Sequence, residues 1–150
     1  VRLDRSPARD LHSAYVERRL ERGESVATNP SLVPWDRLPQ SLQDSNRDLV
    51  AHLRVKLRHI GFDLHDGSGP PVLFTREQIE QLSELEHERW VRHRQHDGWV
   101  LGTTKDSEKK LTPHLVPWSD LDEATRETDR EFVRAIPDIA ASLEMHIAPA

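Results

Sequence analysis

Apolar positions along this chain recur at helical spacing in four stretches, and turn-forming residues punctuate them. Ser6-Pro7 offers a capping hydroxyl and a first-turn proline, so a helix is expected to run through ARDLHSAYVERRLER and stop at Gly23. Residues 24–38 carry two prolines and read as irregular. Pro39 opens a second helix whose Leu42, Leu49, Leu53, Leu57 and Ile60 fall on one stripe; Gly61 ends it, and Phe62-Asp63-Leu64 suits a short strand. The stretch HDGSGPP at 65–71 is linker-like. Thr75 to Gln78 has the pattern of a capping box, starting a third helix that reaches Asp97 and closes at Gly98. An irregular segment, 99–117, precedes a fourth helix from Asp122, which Pro137 is expected to interrupt or kink, and Met145-His146-Ile147 suits a second short strand.

That order is helix, loop, helix, strand, written twice. Pro-x-Leu-Val-Pro-Trp stands at Pro30 to Trp35 and again, 83 positions later, at Pro113 to Trp118. Asn46-Arg47 and Asp129-Arg130 follow at the same offset. Upstream, His12, Tyr15, Val16, Arg19 and Gly23 match His87, Trp90, Val91, Arg94 and Gly98 at an offset of 75, so the second copy carries eight extra residues in between. An internal repeat of this kind predicts two units, each unable to bury its apolar face alone. The expected fold is α+β, mainly α: two pseudo-twofold-related helix–loop–helix repeats flanked by short strands. Repeat one spans 7–64, a linker 65–75 and repeat two 76–147.

Composition narrows the picture. Hydrophobic residues make up 35% and charged residues 31%, and no apolar run approaches the roughly 20 residues a membrane-spanning helix needs. A net charge of −5 argues against a DNA or RNA surface, which requires a basic face to displace counterions. Cysteine is absent, which removes disulfide and thiolate chemistry and fits a cytoplasmic setting. The chain starts at Val1 and is read as a domain cut from a longer protein.

The second copy, HERWVRHRQHDGWVLGTTKDSEKKLTPHLVPWSDLDEATRETDREFV, resembles the repeat domain of ryanodine receptors. The family pattern of His-x-x-Trp, Gly-Trp-x-x-Gly, a charged Lys-Lys stretch, Pro-x-Leu-Val-Pro-aromatic and Asn/Asp-Arg falls on His87, Trp90, Gly98-Trp99, Gly102, Asp106 to Lys110, Pro113 to Trp118 and Asp129-Arg130. The first copy lacks the Gly-Trp-x-x-Gly and the lysine-rich loop. The resemblance implies a tandem-repeat module of bacterial type, acting as a regulatory or ligand-sensing part of a larger protein. It also implies a small nucleotide-like ligand, adenine type favoured, lodged between the repeats, and a fused or associated effector or channel. That larger protein would be cytoplasmic or membrane-associated, with this part in the cytosol.

On this reading Tyr15 and Trp90 form a slot for a flat ring, and Asn29, Asn46 and Asp129 read its edge. Arg19 and Arg94 stand near any phosphate, and His12 and His87 line the cleft or bond a loop. The alternative for the aromatic pair is core packing, and for the polar residues bonding to the neighbouring loop. Pro-x-Leu-Val-Pro-Trp is read as structural, with Trp35 and Trp118 supplying large buried area. Lys105, Lys109 and Lys110 are phosphate candidates or simply solvated surface. His93, His96 and Asp97 lack a fourth ligand, and no metal or cofactor is expected. A stacked base contributes about 1–3 kcal/mol per face and a neutral hydrogen bond about 1 kcal/mol, which together suit a micromolar to sub-millimolar ligand. No catalytic constellation is present, so the expectation is a non-enzymatic sensor; the competing expectation is a protein-interaction or assembly module without a small ligand.

Overall fold

The computed structural model describes residues 7–150; Ser6, the expected cap of the first helix, lies outside them. The helices are α1 (Pro7–Glu21), α2 (Gln40–His59), α3 (Arg76–His96) and α4 (Glu123–Ser142). The strands are β1 (Phe62–Asp66), β2 (Val100–Leu101), β3 (Leu111–Thr112) and β4 (Met145–Pro149). The chain divides into two compact units, one ending at Ala51 and one beginning at His52, the boundary falling within α2. No helix among the described residues is long and apolar enough to cross a membrane.

In the first unit, Leu11, His12, Leu32 and Leu38 are buried. α1 ends in a Schellman motif: the N–H of Gly23 donates to Leu20 O and that of Glu24 to Arg19 O, with Gly23 at φ +84°. The second unit contains the same ending. Gly98 (φ +90°) donates to Gln95 O and Trp99 to Arg94 O. Identical termination follows from the shared glycine, the residue that adopts the left-handed region at least cost.

Leu53, Leu57, Leu82, Val133, Ile136 and Ala140 are almost fully buried in the second unit, where α3 packs on α4. Thr75 caps α3 with the reciprocal bonds of a capping box, Gln78 N–H to Thr75 Oγ1 and Thr75 N–H to Gln78 Oε1. Asp122 caps α4 through Thr125 N–H. Pro137 does not interrupt α4, which runs unbroken from Glu123 to Ser142. Burial of Val133, Ile136, Ile139 and Ala140 on both sides of the proline holds the segment helical against the missing N–H.

β1 and β4 pair antiparallel in the register Phe62↔Pro149, Leu64↔Ile147 and Asp66↔Met145. Leu64 and Ile147 are repeat-equivalent positions, so the strand pair carries a local twofold through them. Its closing bonds obey the same symmetry: Gly67 N–H donates to Glu144 O (2.9 Å) and Ala150 N–H to Gly61 O (3.0 Å). The helix-to-strand turn needs positive φ in both copies, met by Gly61 at +84° and by Glu144 at +60°.

The stretch 99–117 is more ordered than its charge and irregular pattern suggest. β2 and β3 pair in parallel, Val100↔Leu111 and Leu101↔Thr112, and an isolated bridge joins Asp106 to Leu111. Each Pro-Trp step continues into a 3-10 turn, Trp35–Arg37 and Trp118–Asp120, after prolines held extended at ψ 152° and 155°.

Candidate functional site

Each repeat builds one row of stacked side chains from the helical stripe and the Leu-Val-Pro-Trp segment. In the first, the His12 ring stacks on Tyr15 (centroids 6.3 Å) and lies 6.1 Å from Trp35. Arg19 lies 5.3 Å from the Tyr15 ring and Arg47 5.3 Å from the Trp35 ring. In the second, His87 stacks on Trp90 (5.8 Å, 18°) and lies 6.3 Å from Trp118. There Arg94 lies 5.4 Å from Trp90 and Arg130 5.8 Å from Trp118. The order Arg, aromatic, His, Trp, Arg is thus duplicated residue for residue.

The histidines hold these rows to the loops. His12 Nε2–H donates to Val33 O at 2.7 Å and His87 Nε2–H to Val116 O at 2.6 Å, two carbonyls at equivalent positions of the repeated motif. A carbonyl only accepts, so Nε2 carries a proton in both bonds. Both histidines are buried. Trp35 and Trp118, expected to be large buried anchors, are only partly buried. Arginine guanidinium groups cover their faces, and their main-chain oxygens accept from Gln43 Nε2 (2.8 Å) and Arg126 Nε (3.1 Å).

The first repeat satisfies most of its candidate groups internally. Asn29 Nδ2 donates to Tyr15 Oη (3.0 Å) and Glu24 Oε1 (3.2 Å), while its oxygen accepts from the N–H and hydroxyl of Ser31. Arg19 is held by Glu24 at 3.1 Å. Asn46 is half-buried on α2. In the second repeat Trp99 stands where Glu24 stands in the first, and Arg94 lies 5.5 Å from its ring as well as beside Trp90. Lys110, though exposed, is tied to the end of α3: its Nζ donates to Asp97 O at 2.6 Å. Lys105 and Lys109 are exposed.

A pocket of about 380 Å³ opens beside Trp90, lined by His87 and Trp90 of α3, His114 of the loop, and Ala124, Thr125, Thr128 and Asp129 of α4. Three of the expected residues, His87, Trp90 and Asp129, are therefore brought together. His114, Thr125 and Thr128 were missed. His114 occupies the variable position of Pro-x-Leu-Val-Pro-Trp, where the first copy has Ser31, so comparing the repeats hides it. A larger groove of about 990 Å³ lies between the starts of α3 and α4, and its two α4 arginines pair within its own walls. Arg130 is bound by Glu80 at 2.8 and 2.9 Å and by Glu123, and Arg134 by Glu127.

Behind the pocket lies a buried ionic group that helical periodicity did not reveal. Glu86 Oε1 meets Lys56 Nζ and Arg89 Nε, both at 2.9 Å, and Glu86 Oε2 meets Arg89 Nη2 at 2.9 Å. All three side chains are buried. Burial alone would raise the Glu86 carboxyl; Lys56 and Arg89 outweigh it and hold it below the ordinary range. Lys56 Nζ also donates to His52 Nδ1 at 2.9 Å, and burial with the Lys56 charge lowers His52 to about 4. Asp129 behaves in the opposite sense. Burial, then the Glu86 charge, push its carboxyl up to about 7 against the pull of Arg89 and Lys56. The pocket therefore combines an indole, two imidazoles and a carboxyl poised near neutrality.

The model of the RyR domain family matches residues 74–149, a span that contains α3, the Gly-Trp loop, the second Pro-x-Leu-Val-Pro-Trp, α4 and β4.

Proposed function

As the chain belongs to the RyR domain family, we propose that it is a non-enzymatic sensor that holds a small purine-type ring in the pocket beside Trp90 and conveys occupancy to a fused or associated effector. One observation carries this reading: the pocket places a large aromatic, Trp90, next to a polar rim of His87, His114, Thr128 and Asp129. That is the composition expected of a small-ligand site, a flat apolar wall with a few orienting polar groups. Stacking on Trp90 supplies about 1–3 kcal/mol once Arg94, 5.4 Å from that ring, swings off the face that the stacked His87 leaves. Two or three hydrogen bonds add about 1 kcal/mol each, less the cost of immobilisation. Before that cost the sum is about 3–6 kcal/mol, which corresponds to a Kd between about 40 μM and about 6 mM. Arg94, 5.4 Å from the Trp90 ring, is the cation offered to a phosphate tail.

A thermal-shift screen of the chain against adenine, adenosine, the adenine mono- to triphosphates, ADP-ribose, NAD and cyclic nucleotides tests the proposal. An upward shift with one purine class, lost in Trp90→Ala while the variant stays folded, supports it. Tyr15→Ala in the same screen measures whether the first repeat contributes a second aromatic face. A flat screen at millimolar ligand favours the second reading, an assembly module. The observation on its side is the half-exposed pair Val100 and Leu101 on β2 (55% and 57% of their surface). A defined oligomer by light scattering supports that alternative.

A further inference from the structure

Asp129 has a different electrostatic setting from the other acids of the second unit. It sits on α4 in the pocket wall, and the charges facing it come from two other elements: Lys56 of α2, and Glu86 and Arg89 of α3. The two cations are already engaged by Glu86, through one contact from Lys56 and two from Arg89, all at 2.9 Å. Asp129 therefore meets a buried carboxylate whose counter-charges are committed, together with a half-buried position and an indole neighbour. The remaining titratable neighbours are pocket imidazoles. His87 is tied through Nε2–H to Val116 O, and His114 belongs to the loop.

The repeat supplies a second, independent argument. Position 129 corresponds to Asn46 in the first copy. An amide presents one donor and one acceptor side by side; a carboxylate presents acceptors only; a neutral carboxylic acid again presents one donor and one acceptor. The two copies keep the same hydrogen-bonding pattern only when Asp129 carries its proton.

We propose that Asp129 meets its ligand as the neutral acid, donating one hydrogen bond and accepting another, and so selects a flat ring with an acceptor nitrogen beside an exocyclic amine. This rests on the pocket beside Trp90 being the ligand site. The adenine edge, N1 with the 6-amino group, has that arrangement; the guanine N1–H and 2-amino edge offers two donors and suits a carboxylate. Ligand binding is then linked to proton retention. Affinity for an adenine-type ring falls as pH rises through the titration of Asp129, where burial and Glu86 hold the carboxyl at about 7.

The test titrates the chain with adenosine, and separately with guanosine, from about pH 5.5 to about pH 8.5, and follows the side-chain carboxyl carbons of the ligand-free protein by NMR over the same range. The expected results are a carboxyl of Asp129 titrating near 7, preference for adenosine, and an adenosine Kd that rises about tenfold per pH unit above that point. Asp129→Asn should bind adenosine with no such slope, because the amide keeps the pattern without a proton to lose. An Asp129 carboxyl titrating in the ordinary carboxylate range, adenosine affinity constant with pH, or loss of adenosine binding in a folded Asp129→Asn chain overturns this inference. None of these removes the pocket assignment if the wild-type chain binds. Absence of adenosine and guanosine binding at every pH, with Asp129 titrating near 7, overturns the pocket assignment and the inference that rests on it.

Discussion

Glu86→Gln removes one negative charge from a place that cannot readily spare it. Lys56 is 0% exposed and Arg89 3%, and Glu86 contacts both at 2.9 Å. Removing one member of a buried ionic group leaves uncompensated charge, which costs about 3–5 kcal/mol. Against a total stability of about 5–15 kcal/mol for a domain, that is a large fraction. The structure also predicts how the cost varies with pH. An acid whose folded pKa is raised stabilises the fold fully below its unfolded pKa and loses that contribution as pH rises through the folded value. For Asp129 the loss runs from 3.8 up to about 7, burial being the larger cause and the Glu86 charge the second. Without that charge the folded pKa of Asp129 falls, so less stability is lost on raising pH, and its carboxylate becomes a counter-charge for Lys56 and Arg89. The deficit of Glu86→Gln relative to wild type should therefore be larger at about pH 5 than at about pH 8. Urea denaturation of both proteins at the two pH values measures it. A deficit under about 1 kcal/mol at both, or one that grows with pH, refutes the reasoning.

Other substitutions probe separate parts of the account. Asp129→Asn should match wild type near pH 4 and be more stable by about 2–4 kcal/mol at pH 8 in urea denaturation, since a rise from 3.8 to about 7 corresponds to about 1.4 kcal/mol per unit before solvent screening. His87→Ala deletes the 2.6 Å bond to Val116 O and should lower stability by about 1–3 kcal/mol. His12→Ala should cost a similar amount through Val33 O, and thermal melts that leave both variants unchanged would remove the histidines from their anchoring role. Gly61→Ala, at φ +84°, should cost about 1–2 kcal/mol by chemical denaturation even though the added methyl meets open space.

Local signals made much of the fold legible. The capping box at Thr75, the stops at Gly23 and Gly98 and the helical stripes around Leu53 and Leu57 are short-range features that sequence carries directly. The duplication also predicted matched roles, and His12 and His87 do make the same bond to Val33 and Val116. β2 and β3 escaped notice because two-residue strands in a lysine-rich stretch have no measurable alternation. Lys56, Glu86 and Arg89 escaped because periodicity assigns charge to the surface, although Lys56 lies on the stripe of Leu53, Leu57 and Ile60, where a charge needs a buried partner. The state of Asp129 was not visible either. It depends on Glu86 and Lys56, which are distant in the chain and meet it only in the folded unit.

The measurement that tests the central claim most directly is an adenosine titration followed through the indole N–H signals of the four tryptophans, Trp35, Trp90, Trp99 and Trp118. The account predicts a shift of the Trp90 signal that approaches saturation at ligand concentrations up to about 10 mM, abolished when the pocket wall is altered by Thr128→Trp in a folded chain. Indole signals that stay in place up to about 10 mM adenosine would contradict a purine-type ligand in the pocket beside Trp90.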